Sequence, residues 1–126
     1  MVELAILSPL MVMLFVLACD FARVFHFSLT LTNCARAGAL YASDPLVADE
    51  SPFANSSEAA RADAGNMTPA PVVKERFGVD ESGREWVEVS AEYEFNTITG
   101  FPGIPNKVTL TRTVRMFIAG PIPGWN

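Results

Sequence analysis

Residues 1–23 read MVELAILSPLMVMLFVLACDFAR. No side chain between Glu3 and Asp20 is charged, and Ser8 and Pro9 are the breaks in an otherwise apolar run. Residues 4–19 sit at the short edge of a bilayer span, and continuing through Phe21 and Val24 to Phe27 gives a full crossing. A cleavable secretory signal is the competing reading, and it fits poorly. No Lys or Arg precedes the run, and no small-x-small cleavage site follows it. Glu3 at its head is costly in isolation, about 2.5–3.5 kcal/mol for a charge at a membrane helix centre and less near an end. It reads as a registration charge, relieved by a positive group at the same depth, most simply the amino terminus of a second copy.

The helical pattern continues past the apolar run. Val24, Phe27, Leu31, Cys34, Gly38 and Tyr41 recur at spacings of three and four, one face of an amphipathic helix. That face is expected to pack on the rest of the chain. Asp20 and Arg23 lie three apart and can pair on the helix surface. The helix should end near Ser43, because Asp44 precedes Pro45 and is pushed out of the helical region. About 43 residues make a rod of roughly 65 Å, twice the hydrocarbon thickness of a bilayer. Pro9 removes the hydrogen bond to the Ala5 carbonyl and should bend the rod there, a feature commoner in membrane helices than in soluble ones.

Composition bounds the remainder. The chain of 126 residues is long enough for one ordinary domain. With half its residues hydrophobic and 18% charged it is not a disordered chain. Nine Lys and Arg against 14 Asp and Glu, with no basic cluster, argue against nucleic acid as a partner and against a polybasic lipid-binding patch. Cys19 and Cys34 on one helix stand about 22 Å apart. That is beyond the roughly 7 Å limit for a disulfide within the chain.

Residues 1–44 are therefore expected to form the long helix. Residues 45–71 read as a connector in which Asn55 and Glu58 have capping-box spacing and Gly65 is a natural stop, so a short helix fits over about 56–64. Residues 72–126 read as antiparallel sheet. In Trp86–Phe95 the residues Val87, Val89, Ala91, Tyr93 and Phe95 face one way, and Glu88, Ser90, Glu92 and Glu94 the other. Val108–Ile118 alternates likewise, with Val108, Leu110, Val114, Met116 and Ile118 on one side. Val72–Val79 is a weaker strand, joined to the first through a turn at Asp80-Glu81-Ser82-Gly83. Residues 99–106 form a long loop. A three-stranded meander has one apolar face that needs a cover, and the available cover is the C-terminal half of the helix. The class is α+β: a long N-terminal helix with a small antiparallel sheet packed on its distal half.

Nothing in the sequence supports an enzyme. One histidine, His26, and no Cys-x-x-Cys pair give no transition-metal site. Glu88, Glu92 and Glu94 form an acidic stripe that reads as a solvated strand face rather than an acid/base pair. Gly100–Gly103 lacks the Lys and following helix of a phosphate loop. Asp44, Asp49 and Glu50 match no calcium loop, and no cofactor is expected. Asn55-Ser-Ser and Asn66-Met-Thr match the glycosylation acceptor pattern, for which capping and turn roles suffice.

A rod with one lipid-length apolar half and one amphipathic half has a clear physical use. Stored in a bilayer, its apolar half is covered by lipid; extracted, it needs copies of itself. Such contacts are heterologous and extend without closing. Here the sequence resembles a known family. Glu3-Leu-Ala, Pro9, Asp20-Phe-Ala-Arg23, Leu31-Thr-Asn-Cys-Ala-Arg-Ala-Gly38 and Tyr41-Ala42 look like the TadE-like pilins of the tight-adherence type IV pilus system, over about a third of the chain. Val108–Met116 is more weakly similar to that family's last strand. The resemblance implies a type IV pilin-like fold, residence in the inner membrane before assembly and in a surface pilus afterwards, and adhesion as the use. It implies a prepilin peptidase, an inner-membrane platform and an assembly ATPase as partners, besides copies of the chain itself. In that family the counterpart of Glu3 lies fifth after the peptidase cut and neutralises the terminal amine of an adjacent subunit. Here the glutamate is third, without a basic leader or Gly cut site before it, so the processed start is expected to differ from Met1. The expected subunit interface comprises Glu3, Leu4, Leu7, Pro9, Leu10, Leu14, Leu17, Asp20, Phe21 and Arg23. A minor pilin or pseudopilin that primes assembly, and a single-pass anchored domain that never polymerises, are the alternatives.

Overall fold

Helix α1 runs from Val2 to Ser43, 42 residues, and passes through Pro9 without a break in the helix. The structure is a computed structural model that describes residues 2–98 and 105–120, with side chains from Leu4 onward. Proline at position 9 cannot donate to the Ala5 carbonyl, and the Ser8 hydroxyl lies 3.5 Å from that same oxygen as a substitute donor. The helix stops at Asp44, whose backbone is extended because Pro45 follows.

Asp44 has a second job that the sequence reading did not assign. Its carboxylate accepts from the Leu46 N–H at 3.0 Å, and Pro45 occupies the first turn of a further short helix, α2 (Pro45–Glu50). The same Asp-Pro pair therefore ends one helix and starts the next. Helix α3 (Ser56–Ala62) begins at Asn55, whose side chain accepts from the Glu58 N–H at 2.8 Å. Glu58 reaches back to the Ala54 N–H, also 2.8 Å.

Three antiparallel strands follow in the order β1 (Val72–Val79), β2 (Glu85–Asn96) and β3 (Lys107–Phe117). Register sets Val89 opposite both Glu75 and Val114, so Val87, Val89, Ala91 and Phe95 lie on the inner face toward α1. These four are buried together with Leu31, Cys34, Ala35 and Ala39 of α1 and Ala60, Ala64 and Met67 of the connector. Phe27 stacks obliquely on Tyr93 and Phe95, with ring centres 5.3 and 5.6 Å away. Glu75 is the acidic member of the inner face, and the hydroxyls of Ser56 and Ser57 at the start of α3 donate to it.

The outer face carries the polar half of the alternation. Lys74–Glu92, Lys107–Glu94 and Arg115–Glu88 pair across strands at 2.8, 2.6 and 2.8 Å. Such exposed pairs contribute little each, roughly 0–1 kcal/mol, but they keep the glutamates of β2 solvated and neutralised.

Two backbone-level ties pin the sheet along α1. At one end the Ala119 N–H donates to the Ser43 carbonyl at 2.8 Å. At the other, the Ile98 N–H donates to both carboxylate oxygens of Asp20, each at 3.1 Å. Past Ile98, residues 99–104 of the expected loop lie outside the described residues. The loop's flanks meet through Thr97, which donates to the carbonyls of Asn106 and Pro105.

Gly38 is where α1, α3 and β2 come closest. A Cβ there would stand 3.1 Å from Ala60 Cβ, 3.1 Å from Val89 Cγ1 and 3.2 Å from the Ser56 carbonyl. Gly38→Val should therefore destabilise the chain by about 1–3 kcal/mol through overpacking. Urea unfolding of the detergent-solubilised full chain, followed by Trp86 fluorescence, checks this; an unchanged midpoint would contradict the close approach.

The β1–β2 turn is closed by Asp80, which accepts from the Arg84 and Ser82 backbone N–H groups, both at 2.9 Å, and from the Arg84 guanidinium. Gly83 supplies the positive φ, +81°, that the turn requires. The backbone N–H of Arg84 foremost holds the Asp80 carboxyl below its ordinary 3.8; desolvation opposes it, and hydrogen bonds from Ser82 and the Arg84 side chain add to the lowering. A depressed folded value means the turn's contribution is fully present above the unfolded carboxylate pKa and is lost as pH falls through the folded one. Asp80→Asn should lower stability near pH 7, where the carboxylate's contribution is present, and change it least below the folded pKa, so that the acid limb of the stability curve flattens. Unfolding midpoints across that range measure it.

Candidate functional site

The N-terminal half of α1 is apolar because its sequence is, and nothing else in the described chain covers it. Leu4 is 79% exposed and Phe21 74%, and Leu7, Pro9, Leu10 and Leu14 are exposed between them, with Leu17 half-buried. Leu4–Ser43 is the one helix among the described residues long and apolar enough to cross a membrane. Glu3 belongs to the first turn of α1, and its side chain lies outside the described residues.

Asp20 is placed differently from the sequence reading. That reading put the Asp20–Arg23 pair on the helix surface; Asp20 is only 6% exposed, beneath the end of β2. Its carboxylate accepts from Arg23 Nη1 at 3.2 Å as well as from Ile98. Arg23 in turn lies over the Phe95 ring at 4.9 Å. A carboxylate so enclosed serves the fold of its own chain. Its partner lies 78 residues away, so helical spacing could reveal only the Arg23 half of the arrangement.

The face expected to pack on the sheet divides among several neighbours. Leu31 and Cys34 are fully buried in the core, with Val24 and Phe27 packed at its edge. Gly38 touches α3 as much as β2. Tyr41 is directed to the connector, where its hydroxyl donates to the Phe53 carbonyl at 3.0 Å. His26 contacts Asn66 through Nε2 at 3.2 Å on the surface. Cys19 is exposed and Cys34 buried. Among the described residues no group of three or more His, Cys, Asp or Glu side chains could hold a metal ion.

Beside the end of the apolar half, Phe21, Val24, Phe25, Ser28, Leu29 and Thr32 of α1 line a groove closed on its far side by Arg112 of β3. Arg112 was not singled out from the sequence. The signal was present: in Val108, Leu110, Arg112, Val114, Met116 the alternation puts an arginine on the apolar face, opposite buried Ala91.

A family model described as TadE-like protein matches residues 1–40, nearly the whole of α1. The resemblance carried by Glu3, Pro9, the Asp20–Arg23 segment and the Leu31–Gly38 segment thus stands over that span, and it associates the apolar helix with pilus proteins of the tight-adherence system. No curated protein and no solved structure matches the chain.

Asp20→Ala leaves the Ile98 N–H without its acceptor, and a buried unsatisfied donor costs about 1–3 kcal/mol. The expected result is a lower unfolding midpoint together with faster amide exchange at Ile98. Unchanged protection at Ile98 would show that Asp20 does not hold the end of β2.

Proposed function

We propose, with the TadE-like helix as premise, that this chain is a structural pilin subunit that polymerises through α1 into a tight-adherence-type pilus at the cell surface. The observation that carries the reading is the uncovered apolar face. Ten large apolar side chains from Leu4 to Phe25 are exposed: Leu4, Ile6, Leu7, Leu10, Met11, Val12, Leu14, Phe15, Phe21 and Phe25. Removing each from water contributes about 1.5–3 kcal/mol when burial is complete, so the set of ten is worth roughly 8–15 kcal/mol even at half that extent. That is comparable to the whole net stability of a typical domain, about 5–15 kcal/mol. The free monomer in water is therefore not the working state. Lipid covers this face before assembly, and other copies cover it afterwards.

By the TadE-like resemblance, the partners are a prepilin peptidase, an inner-membrane platform and an assembly ATPase, and the polymer serves attachment. Leu4, Leu7, Pro9, Leu10, Leu14, Leu17 and Phe21 supply the interface, and Glu3 sets its register. Asp20 and Arg23 shape the interface indirectly, by fixing where the head begins.

Glu3→Ala should accumulate in the inner membrane at the wild-type level yet appear at least tenfold less in material sheared from the cell surface. Immunoblotting of both fractions, with mass spectrometry of sheared filaments, reads the result. Normal filaments from the mutant would remove Glu3 from assembly, and sheared filaments devoid of the wild-type chain would leave it a membrane-anchored head.

A further inference from the structure

Five of the chain's basic side chains are held in ion pairs: Arg23, Lys74, Arg84, Lys107 and Arg115. Arg61 donates to the Pro71 carbonyl. Arg36, Arg76 and Arg112 have no carboxylate partner among the described residues; of these Arg112 lines the groove, and its guanidinium donates to the carbonyl of its own neighbour Thr111 at 2.9 Å. It occupies an inner-face position of the edge strand β3, where the alternation calls for an apolar side chain. Across the groove from it, Phe21, Phe25 and Leu29 are exposed at four-residue steps along α1. They continue the apolar face of the N-terminal half up to the level of the head.

An apolar groove with one cation free of a carboxylate fits an apolar segment with one anion. The first 19 residues of this chain are such a segment, since Glu3 is their one acidic side chain. We infer that the groove seats the first turns of α1 from a second copy, and that Arg112, in place of the amino terminus expected from the sequence, meets the Glu3 carboxylate of that copy. This rests on the filament reading and deepens it by naming the contact. Glu3 and Leu29 are 26 positions apart on a continuous helix, so the two parallel copies are staggered by about 39 Å. At that stagger, Leu4–Leu17 of the second copy runs along the outward side of the first, where the described residues leave Leu29 and Leu40 about half exposed. The same stagger of about 39 Å prevents Glu3 from reaching Arg112 within one chain, so the pairing is intermolecular by geometry. In a buried setting a guanidinium–carboxylate pair of this kind fixes register as well as adding attraction.

The test uses the full chain in cells that make filaments. Arg112→Glu should reach the membrane at the wild-type level and lower the sheared-filament yield at least tenfold, whereas Arg112→Lys should retain most of the yield. Filaments of Arg112→Lys are then treated with a carbodiimide, which joins a carboxylate to an amine only on contact. The expected product is an amide between Glu3 of one chain and the amine substituted at position 112 of another, mapped by mass spectrometry. It does not depend on how well Arg112→Glu folds. Three results would overturn the inference. Wild-type yield from Arg112→Glu would make Arg112 an edge-strand guard only. Filaments of Arg112→Lys without that amide, or a Glu3 link that forms only when Arg36→Lys is used instead, would place the contact elsewhere and leave the filament reading intact. Absence of filaments from the wild-type chain would remove both readings together.

Discussion

The head depends on one contact, the packing of α1 beyond Asp20 along the inner face of β2. Its length is fixed at both ends, by the Ile98 N–H on Asp20 and the Ala119 N–H on the Ser43 carbonyl. The helix advances about 35 Å between these two residues, and a 12-residue strand spans about 40 Å. β2 is therefore as long as the helix segment it covers, and β3 follows it residue for residue from Lys107 to Phe117. β1 is shorter and pairs only from Glu85 to Glu92 of β2. The part of β2 that β1 leaves free holds Tyr93 and Phe95, the two rings on which Phe27 stacks. Small residues let a third layer join: Gly38 and Ala35 on α1 meet Ala60 of α3, so the short helix can approach the junction of helix and sheet.

The same contact divides α1 into two environments. From Val24 onward the apolar side chains of one face meet the head; before Asp20 none belongs to its core. The boundary residue is charged, and its charge is satisfied inside the chain by Ile98 and Arg23. A carboxylate facing outward at this level would oppose both insertion in lipid and docking on another apolar helix. Turned inward, Asp20 marks the limit of the head without adding a charge to the apolar surface.

Much of this was legible from short-range patterns. The length of α1 and its end at Asp44, the capping of α3 by Asn55, and the inner face of β2 all follow from periodicity and local hydrogen bonding within a few residues. What escaped depends on residues distant in sequence. Asp20 looked like half of a surface pair because Arg23 is three positions away and Ile98 is 78. Tyr41 fits the helix-face spacing, yet the connector folds back so that Phe53 offers a carbonyl to its hydroxyl. Helix α2 was missed because Asp-Pro was read as a stop alone, although the same pair is a good helix start. Arg112 was passed over as an exception to an apolar alternation, when the exception itself carried the information.

The apolar surface by itself cannot choose between lipid and filament. The ten exposed side chains from Leu4 to Phe25 are covered in either setting, and the roughly 8–15 kcal/mol they represent cancels between the two. The choice falls to groups whose satisfaction differs. In lipid Glu3 has no fixed cation at its depth and costs up to about 2.5–3.5 kcal/mol; in a filament of the proposed register it has one. A difference of about 2.8 kcal/mol is a factor of about 100 in an equilibrium. On the filament reading, the hydrophobic face thus supplies the need for cover, and two charges, Glu3 and Arg112, decide which cover and in what register.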